Sequence, residues 1–180
     1  MIRIFSDGIR RIPHLDAFLK EEVQKYAASE AVVGWGHKPT ADQARAYAKA
    51  KHLPYIAAED GFLRSLDLGV NGAPPLSLTV DPIGVYYDAS APSQIENDIN
   101  DAPNWMTPTW RHRAQQLMDR LVEKDLSKYN AAPSVPPGWL DARYPDCVGR
   151  RKVLLIDQTK GDASVRLGLA DETSFAAMVE

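Results

Sequence analysis

The sequence predicts an α/β fold built on a mostly parallel, doubly wound sheet. Short apolar runs of strand length alternate with longer stretches whose apolar residues recur at helical spacing. Each of the early runs empties into a loop of glycine and short polar residues before the next helix begins. The chain has 180 residues, 44% apolar and 25% charged, which suffices for one buried core and argues against disorder.

Ile2 to Phe5 reads as a short first strand, and Leu15, Phe18, Leu19, Val23 and Tyr26 then recur as one face of an amphipathic helix over about 14–27. Ala31-Val32-Val33, closed by Gly34-Trp35-Gly36, predicts a buried strand ending in a tight loop. Thr40-Ala41-Asp42-Gln43 has capping-box spacing, which predicts a helix over about 41–51. Pro54 to Ala58 is the next strand, and it delivers Glu59-Asp60-Gly61-Phe62 just beyond its end. Asn71-Gly72 and Pro74-Pro75 mark a turn before a strand at Leu76 to Val80, and Gly84 to Asp88 reads as one more short strand.

A long helix is predicted over about 108–127, with Pro108 near its start and Trp110, Ala114, Leu117, Met118, Leu121 and Val122 on one face. Pro133, Pro136, Pro137 and Gly138 predict a linker. Lys152 to Ile156 is the clearest strand pattern in the chain, left by the loop Asp157 to Ser164, and Asp171 is a good N-cap for a closing helix. That helix meets no stop signal before Glu180, so the chain is expected to be truncated. The expected organisation is one N-terminal domain over 1–150 and the start of a following segment over 151–180.

Several function classes are excluded or disfavoured. With 21 basic and 24 acidic residues, net charge −3, the chain lacks the basic footprint of a nucleic-acid binder. The single cysteine, Cys147, cannot form an internal disulfide, which fits a reducing compartment. No apolar run reaches bilayer-spanning length, so the expectation is a cytoplasmic protein whose membrane contact is peripheral. His14, His37, His52 and His112 are scattered, and no metal is implied. There is no P-loop and no complete dinucleotide fingerprint, which argues against an epimerase or dehydrogenase, and Ser65 and Ser164 lack a hydrolase-elbow context. Trp105, Trp110 and Trp139 read as packing or linker anchors rather than sugar platforms.

Ligands of open α/β sheets collect at the carboxyl ends of strands, which selects the loops 34–39, 59–65 and 158–164. Gly34 and Gly36 permit a tight turn or close approach to a ligand, with His37 and Lys38 placed for a negative group. Adjacent acids at a strand end point in different directions, so one of Glu59 and Asp60 is free to face a cleft while the other caps a turn or pairs with Arg64. Asp162, between Gly161 and Ser164, is either an accessible carboxylate or an Asx-turn or cap. Glycosyl transfer with retention can use a carboxylate nucleophile and a second carboxyl as acid or base, and Asp162 with Glu59 or Asp60 supplies such a pair.

Six strings in one order carry a family likeness: Gly8-Ile-Arg-Arg-Ile-Pro-His-Leu15, Val33-Gly-Trp-Gly-His-Lys-Pro39, Glu59-Asp-Gly-Phe-Leu-Arg-Ser65, Gly72-Ala-Pro-Pro-Leu-Ser77, Gly84-Val-Tyr-Tyr-Asp88 and Asp157-Gln-Thr-Lys-Gly-Asp-Ala-Ser164. From about residue 8 onward the chain resembles the capsule polysaccharide biosynthesis β-Kdo transferases. The resemblance implies a Rossmann-like, acceptor-side first half of a GT-B-like glycosyltransferase, often one of two modules in tandem. It implies transfer of the acidic sugar Kdo from CMP-Kdo, with retention, to build a Kdo linker on a phosphatidylglycerol-type lipid at the inner membrane face. No cofactor is expected besides CMP-Kdo as donor substrate.

By the same resemblance, Asp162 in the Gln158-x-x-x-Asp162 context matches the family's nucleophile, and Glu59 and Asp60 match its acidic motif, with Glu59 favoured as acid or base. Charge assigns Lys38, Arg64 and Arg166 to the sugar carboxylate. Gly34, Gly36, Gln158, Lys160 and Ser164 complete the expected substrate-binding set. The chain departs from the family pattern in two ways: it has no His-Pro dipeptide, which places the nucleotide half of the site in a missing C-terminal domain, and position 37 is His where a more basic residue is expected. Expected partners are CMP-Kdo, a lipid acceptor, that C-terminal domain and the capsule export machinery, with no nucleic acid. The competing reading is a non-catalytic module that binds an acidic polysaccharide or scaffolds export.

Overall fold

A computed structural model describes residues 1–25 and 30–179. The chain divides into two compact units, Met1–Asn130 and Ala131–Glu180. The sequence expectation placed its boundary at 150, and the division instead falls just ahead of Pro133, Pro136 and Pro137, whose rings and missing N–H groups interrupt regular structure.

The first unit begins with β1 (Ile2–Ile4), α1 (Asp7–Arg10), α2 (Leu15–Gln24), β2 (Ala31–Trp35), α3 (Pro39–Lys51) and β3 (Tyr55–Asp60). The end of the helix predicted to reach Tyr26 lies outside the described residues. A fourth strand, β4 (Leu78–Asp81), completes a sheet of order β1-β2-β3-β4. Strands β1 to β3 are parallel, with Ile4 opposite Val33 and Val33 opposite Ile56. β4 runs antiparallel to β3, pairing Thr79 with Glu59 and Leu78 with Asp60. The fold class is the predicted one, α/β with a mostly parallel sheet and a helix on each face.

β2 reads as a continuous apolar run because it is buried on both sides. Ala31 and Val33 face α2, where Leu19 packs with Ile56 and Ala58, and all five are fully buried. Val32 faces α3 and packs against Ala44 and Ala48. Each such Val or Leu contributes roughly 1.5–3 kcal/mol of apolar burial. α3 starts earlier than the Thr40 capping box suggested: Lys38 is the N-cap without a side-chain bond, and Pro39 at the first position supplies a helical φ and lacks an N–H that would need a partner.

Two strand expectations in this unit change. The strand expected at Leu76 to Val80 is β4, shifted to Leu78–Asp81, and Gly84 to Asp88 is a loop. Asp81 causes the second change. It is 2% exposed, its Oδ1 accepts from the backbone N–H groups of Ile83 (2.8 Å) and Gly84 (2.9 Å), and its Oδ2 accepts from Gln94 (2.7 Å). The carboxylate bends the chain out of the strand and anchors the start of α4 (Gln94–Asn100). Replacing Asp81 with alanine is expected to cost about 2–4 kcal/mol, since three part-buried backbone donors lose a buried, charged acceptor. A melting temperature lowered by roughly 10 °C checks this; an unchanged one would show that water replaces the carboxylate without loss.

α5 (Ala102–Trp105) and α6 (Pro108–Glu123) follow, the latter capped by Thr107 and ending before the predicted residue 127. Asp125 takes φ 52°, and the Leu126 N–H bonds back to the Leu121 carbonyl at 2.9 Å, which closes the helix. The 61–77 loop is tied to the 128–130 segment by Arg64 N–H to the Lys128 carbonyl (3.0 Å) and Asn130 N–H to the Leu66 carbonyl (3.0 Å).

The second unit contains α7 (Trp139–Arg143), a 3₁₀ turn at Pro145–Cys147, α8 (Ala163–Leu167) and α9 (Glu172–Ala176). The strand expected at Lys152 to Ile156 is irregular, with Leu154 82% exposed. A strand requires a ladder partner, and among the described residues of this unit none pairs with that run. The closing helix begins as predicted, because Asp171 and Ser174 form a reciprocal capping box, but it spans only Glu172–Ala176 rather than running on toward residue 180, which lies outside the described residues. Trp110 and Trp139, expected as packing anchors, are 55% and 49% exposed. Among the described residues no helix is long and apolar enough to cross a membrane.

Candidate functional site

Glu59 and Asp60 are the last two residues of β3 rather than lying beyond it, so the pleat sends them to opposite faces of the sheet. Glu59 takes the face shared with Ala57, at the carboxyl end of a strand that pairs in parallel with β2. Its Oε1 accepts from the Asp60 N–H (3.0 Å), and its Oε2 accepts from the Tyr87 hydroxyl (3.2 Å). Burial pushes the Glu59 carboxyl above the usual carboxylate range; the Asp60 N–H, the Tyr87 hydroxyl and nearby Lys38 oppose that shift, while the Asp60 charge adds to it. Burial, together with the neighbouring Glu59 charge, also raises the Tyr87 phenol.

Removing the hydroxyl in Tyr87→Phe withdraws a donor that favours the charged carboxylate, so the Glu59 pKa is expected to rise further. The carboxyl-carbon shift of Glu59 followed through a pH titration checks it, and a downward move would remove Tyr87 from the site.

Gly36 makes this arrangement possible. It has φ +45°, and a Cβ there would overlap both the Tyr87 hydroxyl and Glu59 Oε2. Its carbonyl accepts from Arg45 (2.9 Å), and Arg45 also holds Asp42 (2.6 Å). Gly34 lies within β2, and the space over it is filled by the Tyr55 hydroxyl and the Ala41 backbone, so it serves strand–helix packing. His37 is turned aside to Asp88, Nε2 to Oδ2 at 2.8 Å. The Ser90 hydroxyl and N–H, with His37, hold the Asp88 carboxyl below its usual range.

Asp60 points the other way and pairs with Arg64, Oδ1 to Nε at 3.0 Å, one of the alternatives left open by the sequence. Arg64 also donates to Ser65 Oγ (2.9 Å) and to the Ala73 carbonyl. Its guanidinium forms part of the wall of a cleft of about 510 Å³ between α1 and the 69–75 loop. Lys38 and Arg11 line the same cleft.

The remaining predicted residues belong to the second unit. Asp162 is exposed and caps α8, its Oδ1 accepting from the Ser164 N–H at 2.8 Å. Both sequence alternatives for Asp162, accessible carboxylate and cap, therefore hold at once. The Gln158 N–H donates to Asp157 (2.6 Å), Lys160 pairs with Glu172 (2.7 Å), and Arg166 is an exposed residue of α8. Gly34, Gly36, Lys38, Glu59, Asp60 and Arg64 thus form one group within the first unit, and Gln158, Lys160, Asp162, Ser164 and Arg166 form another within the second. Among the described residues no three His, Cys, Asp or Glu side chains are grouped as metal ligands.

Tyr87 and Arg11 were missed as functional candidates. Both lie inside strings already singled out, Gly84 to Asp88 and Gly8 to Leu15, but periodicity assigns a tyrosine in an apolar run to packing and an arginine in a loop to solvent.

Over residues 30–135 the chain matches the capsule polysaccharide biosynthesis protein family. It is 46% identical over 177 residues to the capsule polysaccharide modification protein LipA of Neisseria meningitidis serogroup A, covering 97% of this chain and 25% of that protein. It is 38% identical over 141 residues to the lipopolysaccharide-processing protein LpsZ of Rhizobium meliloti, covering 78% of this chain and 31% of the relative. The solved structure of KpsC from Thermosulfurimonas dismutans, a beta Kdo 2,4 transferase, is similar with a TM-score of 0.84 and 43% identity, over 99% of this chain and 55% of that one. The chain spans about a quarter of the length of the Neisseria relatives it matches. The family match covers more than half of the residues, including the strand that carries Glu59 and the loop that carries Tyr87, and the chain belongs to the capsule polysaccharide biosynthesis protein family.

Proposed function

We propose that this chain is the acceptor-side part of a retaining β-Kdo transferase, which moves Kdo from CMP-Kdo to a lipid-linked Kdo or phosphatidylglycerol acceptor in capsule polysaccharide biosynthesis. The observation that carries the reading is Glu59, a carboxyl raised by burial and aligned by two donors at the end of a parallel-paired strand. A carboxyl with a raised pKa titrates closer to working pH, where general acid–base catalysis is most effective. The likeness to a beta Kdo 2,4 transferase supplies the sugar, and the GT-B-like architecture follows from the same likeness.

In this reading the Asp162 carboxylate attacks the anomeric carbon of Kdo, and CMP leaves with the bonding pair. Glu59 then takes the proton of the acceptor hydroxyl as its oxygen displaces the Asp162 ester, so two inversions give retention. Lys38, Arg64 and Arg166 offset the sugar carboxylate and phosphate. A C-terminal domain holds the CMP half, no metal or further cofactor takes part, and the enzyme works at the cytoplasmic face of the inner membrane beside the export machinery.

The test is an assay of the whole protein with CMP-Kdo and a Kdo-bearing lipid acceptor, with the anomeric configuration of the product read by NMR and Asp162→Asn as the inactive comparator. An inverted product would end the double-displacement scheme. A second reading, a non-catalytic module for acidic polysaccharide, draws on the basic lining of the cleft and requires that Asp162→Asn keep full function.

A further inference from the structure

The cleft between α1 and the 69–75 loop holds one cation, Arg11, to which the scheme above gives no part. Arg64 is committed within it: Asp60 offsets its charge, Ser65 and the Ala73 carbonyl fix its plane, and a Cβ on Gly69 would overlap its guanidinium. Arg11 is not committed in that way. Among the described residues the Arg11 side chain makes no hydrogen bond or ion pair, its backbone N–H alone bonding back to the Asp7 carbonyl, whereas Lys38 acts on the Glu59 carboxyl and lies with its Nζ 5.7 Å from the Trp35 ring centroid. None of the described residues lining the cleft is acidic.

Arg11, with no side-chain partner among the described residues, and Lys38 therefore sit beside an indole, in a space of about 510 Å³, within the range of roughly 300–1,000 Å³ usual for small-molecule sites. An inorganic anion would use the cations and leave the indole idle; a neutral sugar would do the reverse. A sugar acid uses both, its carboxylate against the Arg11 guanidinium and its ring C–H face against Trp35. We propose that this cleft binds a carboxylate-bearing sugar, with Arg11 as the residue that reads the carboxylate. The choice of a sugar acid rests on the transferase reading above; the position of the site rests on the cleft alone. Arg11 is then a specificity residue for the sugar carboxylate.

The experiment titrates the full chain with free Kdo, glucose and inorganic phosphate, by calorimetry or ligand-observed NMR, in the unaltered protein and in Arg11→Ala and Arg11→Lys. Kdo binding is expected to weaken about tenfold in Arg11→Ala, with partial recovery in Arg11→Lys, because a charge-assisted pair is lost and then replaced by a point charge. Rising salt is expected to weaken Kdo binding as well, and glucose is expected to show no dependence on Arg11. Kdo binding indifferent to Arg11 overturns the proposal, as does phosphate matching Kdo in both strength and Arg11 dependence. Absence of transfer by the whole protein while Arg11 still governs Kdo binding would remove the transferase reading and leave the cleft.

Discussion

Asp162→Asn is expected to abolish transfer, with a loss of about 10³-fold or more, while the second unit keeps its fold. The substitution is informative because Asp162 has two roles. As N-cap of α8 its Oδ1 accepts from Ser164, and asparagine caps about as well as aspartate. As proposed nucleophile it needs a negative oxygen, which an amide lacks. Asp162→Ala would instead remove the cap too, at about 1 kcal/mol, and confuse the two effects. Full transfer activity in the asparagine variant, measured on the whole protein, would reassign Asp162 to a purely structural place.

Glu59→Gln is expected to lower transfer by about 10²–10⁴-fold, the range of a lost general acid–base group. Glutamine keeps an acceptor for the Asp60 N–H and a polar atom beside Tyr87, so the strand end need not rearrange. The effect on stability has a definite sign. Burial raises the folded-state pKa of Glu59 above its unfolded value, so its contribution is most favourable below the unfolded pKa and is lost as pH rises through the folded one. Glu59→Gln should therefore show a flatter stability-versus-pH curve in that window and no loss of stability at neutral pH. Denaturant midpoints at acidic and neutral pH measure it, and a variant markedly weaker at neutral pH would mean that the Glu59 charge is stabilising rather than a cost.

The parts of the fold that were legible in advance are those whose signals are local. β2 and β3 announce themselves as apolar runs, Leu15, Phe18, Leu19 and Val23 mark the buried stripe of α2, and Asp171 marks the start of α9, because burial on a repeating face and capping both act within a few residues. Lys152 to Ile156 shows the limit of such signals. Its strand pattern is the clearest in the chain, yet β structure is a contract between two segments, and no described segment of its unit answers it.

The site divides along the same line. Sequence alone determined which carboxylates to examine, that Glu59 and Asp60 would diverge, and that Asp60 had Arg64 within reach, since alternation and i,i+4 proximity are properties of one stretch of chain. Tertiary structure alone decided that Glu59 meets Tyr87, 28 residues later, over a glycine that leaves room for both. It also decided that Asp81 ends its strand, and that Arg11 and Lys38 face one cleft with no acid in its described lining. Contacts between distant residues are set by how the sheet and its loops close in space, and that closure leaves no local trace in composition or period.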